Sequence, residues 1–265
     1  MKRPLWIIAL LLSIGAFCML LPKQRSFAER VNFSPKDRAV GLIPENRALI
    51  EDILAQNYTF LAKGTQAYVF VSADGSYVLK FLKLRPSNGK RLTAARAQKN
   101  EEALKACQLA WNALREQTAL VYAHLGPTPE FQPVVHLTDR KEKRICLNLE
   151  NACFLIQEKA DLIIPKIQEK MAESDVPGAA AIIRSVCNLL KEMQERGVVD
   201  NDPVIRRNFG VIHGRAVQID CGMMKLDPKS KEIDSVTAPL KSFKKWITSH
   251  YPELLPALEQ TAELR

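Results

Sequence analysis

Six cysteines occur in this chain, yet no two form a Cys-x-x-Cys pair. The four histidines, at positions 124, 136, 213 and 250, stand without metal-ligand spacing. These absences exclude a zinc ribbon, a dithiol redox motif and a disulfide framework. Cysteines that sit mostly in apolar surroundings read as small buried hydrophobes and fit a reducing compartment. No internal repeat is visible, which excludes a solenoid or propeller. Basic residues outnumber acidic ones, 38 to 29, giving a net charge of +9 over 265 residues, but no block concentrates them. That balance favours anionic partners in general. Without a zinc-finger, helix-turn-helix or aromatic RNA-binding signature, no specific nucleic-acid partner is expected.

One long hydrophobic run is present. Lys2 and Arg3 precede an uncharged stretch from Pro4 to Pro22, PLWIIALLLSIGAFCMLLP. At about 1.5 Å per residue it just crosses a bilayer core of about 30 Å. Residues 1–25 read as a membrane anchor or a signal peptide. Ser26-Phe27-Ala28 has the small-x-small form of a cleavage site. Lys23 and Arg25 oppose cleavage and draw the downstream side towards the cytoplasm. The expectation is a single-pass N-terminal anchor with a cytoplasmic domain; the alternative is export after cleavage. Residues 26–43 read as a linker, and Pro44 to Ala55 as a short amphipathic helix.

Residues 58–83 alternate like strands, with turns at Gly64-Thr65-Gln66-Ala67 and at Asp74-Gly75. Lys80 alternates away from Leu79 and Phe81, towards a cleft or solvent. After a basic loop, Leu92 to Leu125 reads as helix in two pieces, ended by Gly126-Pro127. Apolar strands follow at Phe131–Leu137, Ile145–Leu149 and Ala152–Gln157. Helices are expected over Leu162–Met171 and Gly178–Arg196, the second capped by Gly197.

The richest stretch runs from Glu195 to Gly222. Phe209 to Ile212 and Ala216 to Ile219 read as two strands of a hairpin turning at His213-Gly214-Arg215. A hairpin brings the residue before its first strand close to the residue after its second. Those residues are Asn208 and Asp220, two hard-oxygen groups suited to a Mg²⁺ that carries nucleotide phosphates. Asp202 lies in the loop just before.

In this order the segments resemble the protein-kinase-like superfamily, whose catalytic loop reads H-R-D-x-x-x-x-N and is followed by a hairpin and D-F-G. Gly197-Val198-Val199-Asp200-Asn201-Asp202 aligns with Gly-x-x-His-Arg-Asp, Asn208 with the metal-binding Asn, and Asp220-Cys221-Gly222 with D-F-G. Asp200 and Asn201 stand for His and Arg, one extra residue separates Asp202 from Asn208, and Cys221 stands for Phe. Lys80 takes the place of the V-A-I-K lysine. Gly64 is the retained glycine of the phosphate loop, with Ala62 and Ala67 at the other two positions.

The resemblance implies a two-lobed α+β fold: an antiparallel-sheet N-lobe over residues 44–160 and a short helical C-lobe over 161–265. It implies ATP and Mg²⁺ as cofactors. Gly64 would cover the phosphates and Lys80 would contact them. A helix carboxylate would hold Lys80: Glu116, or alternatively Glu101 or Glu102. Glu158 would belong to the adenine-binding hinge, residues 157–160. Asn208 and Asp220 would hold the metal, and Asp202 would be the base, with Asp200 as the alternative. No A-P-E motif follows Gly222, and little chain remains there for seating a peptide. That implies a compact phosphotransferase acting on a hydroxyl of a lipid, glycan, small molecule or protein. The alternative is a pseudokinase, a membrane-tethered binding module, suggested by the depleted glycine loop, the missing His-Arg pair and Cys221.

Overall fold

The computed structural model describes residues 27–31, 43–84, 93–231 and 237–263. The apolar N-terminal run and the basic loop after Leu84 lie outside the described residues. Among the described residues, no helix is long and apolar enough to cross a membrane.

Part of the expected linker is folded. Phe27–Val31 forms a short helix, α1. Val31 is fully buried, and the Phe27 ring meets Tyr68, Phe70 and Phe81 edge-on at 5.4, 5.5 and 5.5 Å. Helix α2, Arg47–Ala55, starts later than Pro44 because the Asn46 side chain caps it, accepting from the Leu49 N–H.

Strands β1 (Asn57–Lys63), β2 (Ala67–Ser72) and β3 (Tyr77–Leu82) form an antiparallel meander. A long helix, α3 (Ala94–Ala113), and a single turn, α4 (Arg115–Thr118), follow. The helical pattern then stops sooner than the sequence suggested. Ala119 takes a left-handed conformation (φ 51°), and Leu120–His124 is a strand, β4. Its Leu-Val-Tyr run packs on a pleated surface as readily as on a helix, and pairing with a neighbouring strand decides the matter. Strands β5 (Val134–Thr138), β6 (Arg144–Asn148) and β7 (Phe154–Glu158) complete the sheet in the order β4-β7-β3-β2-β1-β5-β6. The β5–β6 hairpin extends the sheet beyond β1, to which β5 runs parallel.

Period-two alternation sorts the two faces of β3. Leu79 and Phe81 point into a core where Phe81, Phe154, Tyr122 and Phe131 meet in series at 5.9 to 6.2 Å between ring centroids. Lys80 points to the other face. Aromatic pairs of this kind add about 1 kcal/mol each beyond their buried area.

The C-terminal part is mostly helical. A two-residue strand β8 (Asp161–Leu162) leads into α5 (Ile163–Ala172) and α6 (Val176–Glu195). Asp175 caps α6 by accepting from the Gly178 N–H at 2.9 Å. One face of α6, including Ile182, Val186, Leu189, Leu190 and Met193, is buried. The helix ends where Gly197, at φ 70°, donates back to the Gln194 carbonyl. Strand β9 (Val198–Asp200), the turn α7 (Ile205–Asn208) and the hairpin β10 (Phe209–Ile212) and β11 (Arg215–Gln218) follow. Strand β12 (Met224–Leu226) pairs back with β9. Helices α8 (Thr237–His250) and α9 (Leu255–Glu263) close the described chain.

Candidate functional site

The hairpin sets the geometry. Phe209 pairs with Gln218, and the Ile219 N–H donates to the Asn208 carbonyl at 2.8 Å. Asn208 is therefore fixed opposite Ile219, one residue from Asp220. Its side chain is tied on one side only. Nδ2 donates to the Asp202 carbonyl at 2.6 Å and to the Asp202 carboxylate at 3.3 Å. Oδ1 accepts no hydrogen bond among the described residues and is the end left for a cation. Asp220 is exposed, and its carboxylate accepts from the Gly222 N–H at 3.1 Å.

Lys80 reaches this loop from the sheet. Its ammonium donates to the Ile219 carbonyl, beside Asp220. Burial pulls the Lys80 amine below its usual range, while Cys221, Asp220 and Cys107 act in the opposite direction. Thus Lys80, Asn208, Asp202 and Asp220 share one site.

Glu116 is not among them. It is exposed on α4, beyond the break at Leu114, and its carbonyl accepts from Arg215 at 2.9 Å. Glu101 pairs with Lys105 at 2.8 Å, and Glu102 accepts from Gln98 at 3.0 Å, both on exposed parts of α3. The expected Lys80–Glu116 pair is not formed, because Glu116 lies past the break at Leu114 on an exposed turn, and it is Cys107 of α3 that lies near Lys80. The Cys107 and Cys221 sulfurs are 3.9 Å apart and buried. Their hydrogen bond and burial push the Cys107 thiol up, which favours its neutral form.

Asp200 and Asp202 have different surroundings. The Asp200 carboxylate accepts from the Asp202 N–H at 2.9 Å and from Gln218 Nε2 at 2.5 Å. Burial raises its pKa to about 6. Asp202 is half-buried, with Arg207 at 3.8 Å from one oxygen.

Gly64 lies in the β1–β2 turn, where its N–H donates to the Ala67 carbonyl at 3.0 Å. Gln66, in the same turn, rests on the Asp220–Gly222 loop: a Cβ on Gly222 would lie 1.8 Å from Gln66 Oε1. Glu158 closes β7 and is exposed, with its N–H donating to the Ala119 carbonyl at 3.0 Å. Gly210 packs beneath this connection; a Cβ there would meet Ala160 Cβ at 2.5 Å and the Asp161 carbonyl at 2.9 Å.

Three contributors are not evident from sequence: Gln66, Cys107 and Gln218. Only Gln218 leaves a signal, a lone amide inside the apolar strand AVQI.

The order of these elements, from the Gly64 turn through the Lys80 strand, the segment after β7 and the Asp202 loop to Asp220, is the order that the resemblance to the protein-kinase-like superfamily implies. No protein-family model and no curated protein matches the sequence. Among solved structures, the chain is similar to WbdD bound to the kinase inhibitor LY294002, at 17% identity and a TM-score of 0.43, covering 78% of this chain and 46% of that one. It is also similar to WbdD at 2.2 Å, at 18% identity and a TM-score of 0.39 over 78% and 46% of the two chains. A third structure, of the bifunctional kinase-methyltransferase WbdD, gives 18% and 0.38 over 76% and 43%. The chain spans less than half the length of each of these structures.

Proposed function

We propose that this chain is a kinase-like phosphotransferase that binds ATP with Mg²⁺ and passes the terminal phosphoryl group to a hydroxyl of a lipid, glycan, small-molecule or protein acceptor. The observation that carries this reading is the convergence of Lys80, Asp202, Asn208 and Asp220 around one loop. Phosphoryl transfer asks little covalent chemistry of a protein. It needs positioned charge and an oriented acceptor.

The donor set suits Mg²⁺. Asp220 offers an exposed carboxylate, and Asn208 an amide oxygen whose partner nitrogen is already engaged. Mg²⁺ is commonly held by one or two such ligands together with phosphate oxygens, rather than by a full protein cage. When bound, the ion neutralises charge on the phosphate oxygens. Lys80 orients the same phosphates, and Gly64 covers them. Glu158 and its neighbours up to Ala160 line the adenine side. Asp202 orients the acceptor hydroxyl and takes its proton. Asp200 is less suited to that role, because it is more buried than Asp202 and holds the Asp202 N–H and the Gln218 amide in short hydrogen bonds.

A second reading, a nucleotide-binding pseudokinase, is favoured by one observation: among the described residues, no helix carboxylate pairs with Lys80. Label transfer from γ-labelled ATP separates the two. The enzyme reading expects labelled acceptor or phosphate with wild type, and loss in Asp202→Asn with nucleotide binding kept. Nucleotide binding without transfer to water or to any acceptor class would establish the pseudokinase.

A further inference from the structure

We propose that Cys107 and Cys221 form a reversible oxidation site, at which a hydroperoxide closes a disulfide and draws Asp220 out of its metal-binding position. The two residues are far apart in the chain, one on α3 and the other in the loop between β11 and β12. Their sulfurs nevertheless lie 3.9 Å apart, with the Cys221 thiol donating to the Cys107 sulfur. Both are free thiols. A disulfide brings its sulfurs to about 2 Å, so closure asks for a movement of about 2 Å, shared between α3 and the loop. Both sulfurs are buried, which limits the oxidant to a small one. Asp220 on one side of Cys221 and Met223 on the other are exposed, so the loop that carries this thiol meets solvent at both ends. Lys80 supplies the charge. Its ammonium donates to the Ile219 carbonyl and interacts electrostatically with Cys221, Asp220 and Cys107. A cation in this place stabilises the hydroxide that leaves as a peroxide O–O bond breaks.

Closure takes two steps. The Cys221 sulfur attacks one oxygen of hydrogen peroxide, the O–O bond breaks, and a sulfenic acid and a water form. The Cys107 sulfur then attacks the sulfenic sulfur. An S–S bond forms, the S–O bond breaks, and a second water leaves with the thiol proton. The two thiols lose two electrons and two protons, and the peroxide is reduced to two waters. A dithiol reductant restores both thiols, so in a reducing compartment the link is transient. Cys221 directly follows Asp220, and a pull towards α3 works against the bonds that place that carboxylate. Gln218 donates to the Asp220 carbonyl at 3.1 Å, and the Gly222 N–H donates to its carboxylate at 3.1 Å. Mg²⁺ demands oxygens at about 2.0–2.1 Å in near-octahedral array, so a shift of this size costs it a ligand. That consequence rests on the reading of Asp220 as a metal ligand; the closure itself does not.

The test uses the full chain carrying Cys146→Ser, which removes an exposed thiol that would also meet the oxidant. Reduced protein is treated with hydrogen peroxide, quenched, digested without reductant and mapped by mass spectrometry. The expected product is a peptide pair joined through Cys107 and Cys221, lighter by two hydrogens and released by dithiothreitol. In the linked protein the Gly222 amide is expected to exchange its hydrogen at least about tenfold faster, because its Asp220 acceptor has moved. Mg²⁺-dependent ATP binding is expected to weaken about tenfold or more. Both changes should reverse with dithiothreitol and be absent after peroxide in Cys107→Ala or Cys107→Ser, whichever folds. Thiols that survive peroxide in the folded protein, or that stop at sulfinic acid, overturn the proposal. So does a disulfide that leaves the Gly222 amide unchanged or, where the reduced protein binds ATP, leaves that binding unchanged. The peptide map and the Gly222 amide need no nucleotide, so reduced protein that fails to bind ATP would count against the phosphotransferase reading while the oxidation site is still decided.

Discussion

Gln218 ties Asp200 to the loop that carries Asp220. Its amide nitrogen donates to the Asp200 carboxylate at 2.5 Å and to the Asp220 carbonyl at 3.1 Å. Gln218 is fully buried, and its Oε1 has no partner among the described residues. The bridge therefore fixes the backbone from which the Asp220 carboxylate projects. Gln218→Leu takes from a largely buried carboxylate one of its two donors, at a cost of about 1–3 kcal/mol. The expected outcome is a lower midpoint in urea together with weaker metal-dependent nucleotide binding. A variant as stable as wild type would show that the bridge holds nothing.

The same pair makes stability depend on pH. Burial raises the Asp200 pKa from 3.8 to about 6. The folded state thus holds this proton more tightly than the unfolded chain does. From about pH 4 to about pH 6 the group's contribution falls as pH rises, and above that the ionised form costs on the order of 2 kcal/mol. Asp200→Asn removes the titration. It can also donate to the open Gln218 Oε1 once that amide turns. The Tm difference, variant minus wild type, is expected to grow from about pH 4 to about pH 7. A difference that is flat with pH would contradict the assignment.

Gly210 is a matter of space. A Cβ at this position would stand 2.5 Å from Ala160 Cβ and 2.9 Å from the Asp161 carbonyl, so Gly210→Ala must push β10 away from the hinge. The expected loss is about 1–3 kcal/mol of stability, read from denaturant unfolding. Gly214→Ala, in open space at the hairpin tip, serves as a control for backbone conformation alone.

Glu116 offers a test of the correction. It is exposed and its side chain is apart from Lys80. Glu116→Ala is expected to change nucleotide affinity by less than about twofold, as surface substitutions generally do. A tenfold loss would mean that α4 swings its carboxylate to Lys80 when nucleotide binds.

Much of this was legible in the residues. The β1–β3 meander, the capped α6 helix and the β10–β11 hairpin, which sets Asn208 beside Asp220, follow from alternation, helical spacing and turn chemistry, all of them local signals, whereas Lys80 and Asp202 join that pair only through the resemblance to the kinase-like superfamily. What escaped depends on distant partners. Leu120–His124 reads as the end of a helix until β7 is available to pair with it. Phe27 reads as linker until the aromatic face of β2 and β3 is assembled. Glu116 resembled a partner for Lys80 by its surrounding sequence, whereas the break at Leu114 turns it outward and leaves Cys107 near the lysine.

The central claim is a metal-dependent nucleotide site between Lys80 and Asp220. Calorimetry of the chain with ATP, with and without Mg²⁺, beside Lys80→Ala and Asp220→Ala, tests it most directly. The account predicts binding that requires the metal and is lost in both variants while each remains folded. No binding by folded wild type, or binding unchanged in both variants, would contradict it.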